Sequence, residues 1–349
     1  MIVLFHLYQP GAKVDDSSAL YYTLVKLLGA DGIAKIAVPA FFLISGYLFF
    51  YNVKRLDRNT YYKKLRSRYT TLLRPYLLWN AMPIILGVIL GIILAAINGL
   101  PLFTKAREFL DSIGWFNAFW NVSDGYPYVV PLWYVRDLMI CCLITPLIYF
   151  ILCSQAGIVY LLMIGACYLC DFWFDIPGLC IRALFFFSVG AFFSIKRMNM
   201  VLIFSKIQMP VYIITLLLLV TTTLVPEIFG PYHLFACNVF IIFGIWSLFN
   251  IASYIKTNFS IEMPVILTDS VFFIFAFHVF PLPEIGSVLA GVQSAINKIL
   301  MQDNPLLRLI EIIAAPVIIV LICILAFRLF SIIAPRLCNV MNGNRTLYK

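Results

Sequence analysis

Long apolar runs separated by short polar segments fill this chain from end to end. A helix needs about 20 apolar residues to cross a hydrocarbon core about 30 Å thick. On that measure the runs predict spans at about 33–53, 69–97, 131–152, 157–173, 178–195, 209–225, 233–253, 264–281 and 308–334. Residues 1–8 are also apolar, but eight residues of helix rise only about 12 Å. They are expected to be the outer end of a first span, the remainder of which would precede Met1. A signal-peptide remnant would instead show a basic leader and a small-residue cleavage site, and neither is present.

The polar segments carry an orientation. Lys and Arg concentrate on the cytoplasmic side of multi-pass proteins. If the loop after span 33–53 faces inward, the inner segments hold Lys54, Arg55, Arg58, Lys63, Lys64, Arg66, Arg68, Lys196, Arg197, Lys206, Lys256, Arg336, Arg345 and Lys349. The outer segments hold only Lys13, Lys26, Lys105, Arg107 and Lys298. The expectation is an all-α, polytopic transmembrane helix bundle of about ten spans, including the partial first one. It forms a single membrane-embedded domain over 1–349, with 335–349 as a cytoplasmic tail. The longest outer loop, about 98–130, carries Trp115, Phe116, Trp120, Asp124, Tyr126 and Tyr128. Loops of that length are more often functional than idle, although Trp and Tyr also anchor at the membrane interface.

Composition agrees with the pattern. The chain is 63% hydrophobic and 12% charged, with a mean hydropathy of +0.97, whereas soluble domains carry about 25% charged residues. Lipid is therefore the expected solvent. The net charge of +9 does not indicate nucleic acid, because the cations lie in the short inner segments. Of the nine cysteines, most fall in or beside apolar runs, where a thiol acts as a small hydrophobe. Cys167 and Cys170 have no second pair or nearby His to complete a metal site, so no metal is expected.

Ionisable residues inside spans are costly and mark function by default. Here they are His6, Arg74, Arg136, Asp137, Arg182, Asp269, His278, Arg308 and Glu311. Neighbouring helical positions point about 100° apart. Arg136 and Asp137 accordingly need not pair with each other; each is expected to face a partner on another helix, as in a structural inter-helix ion pair, or a wet cavity. Arg74 suits either a ligand role or snorkelling to the surface. His278, among aromatics, suits a hydrogen-bonded core position or a direct role. His6 has an imidazole, whose ordinary pKa near 6.5 fits proton transfer.

The segment Phe41-Phe42-Leu43-Ile44-Ser45-Gly46-Tyr47-Leu48 lies downstream of His6. It is followed by the basic stretch Tyr62 to Arg68 and by Leu73-Arg74-Pro75-Tyr76-Leu77-Leu78-Trp79-Asn80. Together with Leu132-Trp133-Tyr134-Val135-Arg136-Asp137 and Phe277-His278, these segments resemble, in order and spacing, the acyltransferase 3 family. These are bacterial membrane proteins that O-acylate sugars. The family pairs the first-span histidine with an arginine upstream of it, which in this numbering falls before Met1.

The resemblance implies a multi-pass protein of the bacterial cytoplasmic membrane with its C-terminus inside. It also implies an acyl-CoA donor, acetyl-CoA in the first instance, and a carbohydrate acceptor on the outer side. His6 would be the general base on the acceptor hydroxyl, or the site of an acyl-histidine intermediate. Lys63, Arg66, Arg68 and Arg74 would hold the phosphates of CoA. Asp137 or Asp269 would orient the imidazole, Arg136 would bind substrate or stabilise charge, and His278 would support the site. Ser45-Gly46 would be a point of close approach for another backbone or the ligand. Two rival readings use the same cavity: a small-molecule or glycan transporter or flippase, and a catalytically inactive relative.

Overall fold

The computed structural model describes residues 1–8, 19–114, 116–174, 176–259, 262–282, 286–299 and 305–345. Lys13, Trp115 and Lys349 lie outside the described residues. Seventeen helices are found among the described residues: α1 Ile2–Leu7, α2 Ala19–Leu28, α3 Ala37–Phe50, α4 Arg58–Arg68, α5 Arg74–Ile97, α6 Thr104–Ile113, α7 Trp133–Leu143, α8 Thr145–Cys153, α9 Ala156–Leu169, α10 Ile181–Ile195, α11 Met200–Phe204, α12 Met209–Leu224, α13 His233–Phe259, α14 Val265–Phe277, α15 Val288–Ile299, α16 Pro305–Ile333 and α17 Pro335–Met341. Among the described residues the only strands are a two-residue antiparallel pair, Pro281–Leu282 with Gly286–Ser287. Such a helical inventory is what lipid demands, since a helix satisfies its own backbone hydrogen bonds where no water can.

Among the described residues, four helical stretches are long and apolar enough to cross a membrane: Leu20–Phe50, Arg58–Ile97, Pro226–Phe259 and Leu306–Ile333. A fifth is the pair Val130–Leu143 and Thr145–Cys153, bent by 58°. Pro146 opens α8 and accounts for the break, because its ring excludes a continuing backbone hydrogen bond. Shorter apolar helices occupy the other expected runs, at α9, α10, α12 and α14. The protein is a multi-pass membrane protein. On α16 the exposed Ile313, Val317, Leu321 and Leu325 recur every four residues, while Ile312, Ala315, Ile319 and Cys323 are buried. One stripe thus faces lipid and the other faces protein.

The chain forms two compact units. The first comprises 1–65, 140–175 and 179–263. Its centre is the crossing of α3 and α10. A Cβ at Gly46 would collide with the Phe187 carbonyl, and one at Gly190 with the Leu43 carbonyl and the Tyr47 amide. The two backbones therefore touch, and the ring of Phe49 lies 6.3 Å from that of Phe187. Small residues permit this approach between membrane helices.

The second unit comprises 66–139, 176–178 and 264–349. Trp79 of α5 is its hub, with ring centroids 5.2 Å from Phe273 and 5.7 Å from Phe280, both edge-on. Between α4 and α5, Tyr69–Leu73 form a π turn.

Candidate active site

All four buried carboxylate or guanidinium residues among the described ones belong to the second unit: Arg136, Asp137, Asp269 and Glu311. Buried His278, Asn80, Ser270 and Asn342 join them there. A chain with so few charges holds polar groups inside only where they are paired or used.

The segment leading into α7 runs through the interior of this unit, with Val129 and Leu132 fully buried. Buried backbone groups must be satisfied, and side chains of α5 and α7 do so. Asn80 Oδ1 accepts the Val129 amide at 2.9 Å, while its Nδ2 donates to the Tyr76 carbonyl at 2.9 Å. The Tyr76 hydroxyl donates to the Phe119 carbonyl. Arg136 Nη1 donates to the Gly125 carbonyl at 2.8 Å, and its guanidinium lies 5.2 Å from the Trp120 ring centroid. The loop of 116–132 is thereby tied to the helices at four points.

Arg136 and Asp137 correct an expectation. Nε and Nη2 of Arg136 both donate to Asp137 Oδ1, at 3.0 and 2.8 Å, with the two side chains 3% and 1% exposed. The 100° separation holds at the backbone, but the long arginine stem folds back across it. The pair is a buried unit on one helix, from which Arg136 also reaches the Gly125 carbonyl. Two residues earlier, the Tyr134 ring meets Phe275 edge-on at 5.9 Å.

The aromatic helix α14 carries the two remaining expected residues. Asp269 is buried near its start, and its carbonyl accepts from Asn342 Nδ2 at 2.5 Å. His278 is buried at its end, with Nδ1 2.9 Å from the Ile274 carbonyl. A carbonyl only accepts, so Nδ1 bears the hydrogen and a neutral ring keeps its lone pair on Nε2. The cations around the π turn lie on this unit's surface or near it. Arg66 and Arg74 are exposed and Arg68 is half-buried. The Arg74 guanidinium sits 4.9 Å from the Tyr69 ring centroid.

The first unit holds the other three expected residues. His6 is buried in α1, edge-on to Phe5 at 5.3 Å. Its helix is held by the Tyr8 carbonyl, which accepts the Ala30 amide at 2.9 Å. Ser45 is half-buried beside Gly46, whose missing side chain is explained by the backbone of α10. Lys63 is exposed on α4. Sequence reasoning missed a thiol cluster in this unit. Cys237 Sγ lies 3.5 Å from His233 Nε2 and 3.8 Å from Lys35 Nζ. The i, i+4 spacing of His233 and Cys237 on one helix was the available signal. Sequence reasoning also gave no role to Asn80 and Asn342, whose amides carry no charge to mark them.

Among the described residues no group of three or more His, Cys, Asp or Glu side chains is arranged to hold a metal ion. Comparison with known proteins then identifies the chain. It aligns with the succinoglycan biosynthesis protein ExoH of Rhizobium meliloti (strain 1021) at 27% identity over 179 residues. That alignment covers 48% of this chain and 43% of the relative, so the chain spans less than half the length of the curated relative it matches. No solved structure matches. A family model described as an acyltransferase domain matches residues 1–329, and by that match the chain belongs to the acyltransferase 3 family.

Proposed function

We propose that this protein is a membrane O-acyltransferase that moves an acyl group, acetyl in the first instance, from cytoplasmic acyl-CoA to a sugar hydroxyl of a surface or lipid-linked glycan. The observation that carries the reading is the family match, which includes both the buried imidazole of His6 and the buried charged residues of the second unit. The relative's role in making succinoglycan, a polysaccharide by its name, supports a carbohydrate acceptor. The lysine and arginine distribution favours an inward C-terminus and about ten spans, with α1 part of the first, and the family match supports the cytoplasmic membrane of a bacterium.

In this reading the thioester arrives from the side lined by Lys63, Arg66, Arg68 and Arg74. Arginine grips phosphate with two parallel hydrogen bonds. The acceptor oxygen attacks the thioester carbonyl as its proton passes to the His6 imidazole. The new ester bond forms, the carbon–sulfur bond breaks, and the CoA thiolate recovers the proton. Asp269 and His278 line the second unit as supporting groups, Ser45 stays a packing position, and the Arg136–Asp137 pair fixes the shape of the loop above it.

Membranes bearing the protein are given acetyl-CoA labelled in its acyl group together with a glycan acceptor. The expected result is labelled glycan, and none with His6→Ala at equal protein level. Undiminished transfer by His6→Ala refutes the assignment of the base. Glycan movement across the membrane without consumption of CoA thioester indicates a transporter instead.

A further inference from the structure

The C-terminal residues 341–345 lie beyond the 329 residues of the family match, yet they are built into the second unit. The Trp79 indole donates to the Met341 carbonyl at 2.9 Å, and Asn342 donates to the Asp269 carbonyl. Gly343 follows at φ +69°, a conformation that favours glycine. A Cβ there would lie 2.7 Å from the Thr71 carbonyl oxygen. Chain ends fray unless tied down, and here three successive residues are fixed. Their arrangement delivers Arg345 to one place. Its Nη2 donates to the Thr71 carbonyl at 3.3 Å, and its guanidinium lies 4.4 Å from the Phe272 ring centroid.

That place already has a cation. Thr71 belongs to the π turn, three residues after Arg68. Burial draws the Arg345 guanidinium below its usual value, Tyr134 opposes the shift, and the like charge of Arg68 adds to it. Arg345 nonetheless keeps accessible surface. Its hydrogen bond and ring contact are to neutral groups, and no carboxylate among the described residues pairs with it. A phosphate group suits the planar fork of each guanidinium, which can grip it with two parallel hydrogen bonds.

We infer that Arg345, held in place by the folded C-terminal segment, joins Arg68 at the π turn to form a phosphate-binding site for the acyl donor. This inference rests on the acyl-CoA reading above. The shared chemistry is a phosphate group, which the donor's nucleotide or an anionic lipid headgroup would supply.

The test uses the full-length protein in two kinds of vesicle, one of phosphatidylcholine alone and one containing phosphatidylglycerol. Acetyl-CoA and acetyl-pantetheine, which lacks the nucleotide phosphates, serve as donors. Arg345→Met keeps a stem over Phe272 and removes the charge. Its KM for acetyl-CoA is expected to rise about tenfold or more, the size of one lost charge-assisted contact. Its kcat and its KM for acetyl-pantetheine should match the wild type in both vesicles. Arg345→Lys keeps the charge without the fork, and an intermediate KM for acetyl-CoA is expected. An equal rise for both donors, no rise for either, or a rise confined to phosphatidylglycerol vesicles overturns the inference, the last by assigning the site to lipid. Absence of transfer by the wild type refutes the acyl-CoA reading itself.

Discussion

Removing the Asp137 carboxylate should cost this protein a large part of its stability. Asp137→Ala deletes an acceptor that takes two hydrogen bonds from Arg136, at 3.0 and 2.8 Å. Each bond to a charged group contributes about 1.5–3 kcal/mol, so the pair sums to about 3–6 kcal/mol. Breaking a buried ion pair from one side independently costs about 3–5 kcal/mol. What remains to Arg136 is the Gly125 carbonyl and the face of Trp120, and neither neutralises it. At about 2 °C per kcal/mol, the low end of the range for domains of 150–250 residues, the thermal midpoint in detergent should drop by about 6–10 °C. Arg136→Met combined with Asp137→Ala removes both charges of the pair and should recover more than half of that loss. A midpoint for Asp137→Ala equal to the wild type, or a double variant no more stable than the single one, would refute the reasoning. Acyl transfer by the recovered double variant separates two roles: loss of transfer marks Arg136 as part of the chemistry, and retention marks the pair as structural.

Three other substitutions probe how the units are built. Asn80→Ala strands the buried Val129 amide at a cost of about 1–3 kcal/mol. Amide hydrogen exchange over 116–132 should quicken, and unchanged exchange would show that the loop is held by other means. Gly190→Ala pushes a methyl group into the backbone of α3, where no flexible side chain can yield. It should lower the midpoint by the equivalent of about 1–3 kcal/mol. Gly291→Ala, in α15 with nothing within 4 Å of its Cβ, should be neutral or slightly stabilising. A midpoint for Gly190→Ala no lower than that for Gly291→Ala would contradict the close crossing of α3 and α10.

The long apolar runs were legible because lipid imposes one rule on every span, and the helices at 74–97, 233–259 and 305–333 follow it. Helices α2, α6 and α15 were not foreseen, since each is short and their residues mix polar with apolar positions. The buried charges were located correctly, because any charge in an apolar run stands out. The partner of Arg136 was not, because pairing depends on how a long side chain folds after its backbone position is set. Arg136 shows this directly. Arg345 shows a further limit: an arginine in a basic tail looks like any other orienting charge until the backbone of Met341–Gly343 is seen to anchor it.

The π turn at Tyr69–Leu73 has an evolutionary implication. Such a turn holds one residue more than the α-helix it interrupts, and a single helical position is worth about 100° of rotation. A descendant gene that lost one codon here would relax into a plain helix and swing Arg66 and Arg68 by that angle away from Thr71. The grouping of charges is therefore sensitive to insertions and deletions in this turn while tolerating many point changes. Relatives of this chain should accordingly keep the length of the turn more strictly than its letters.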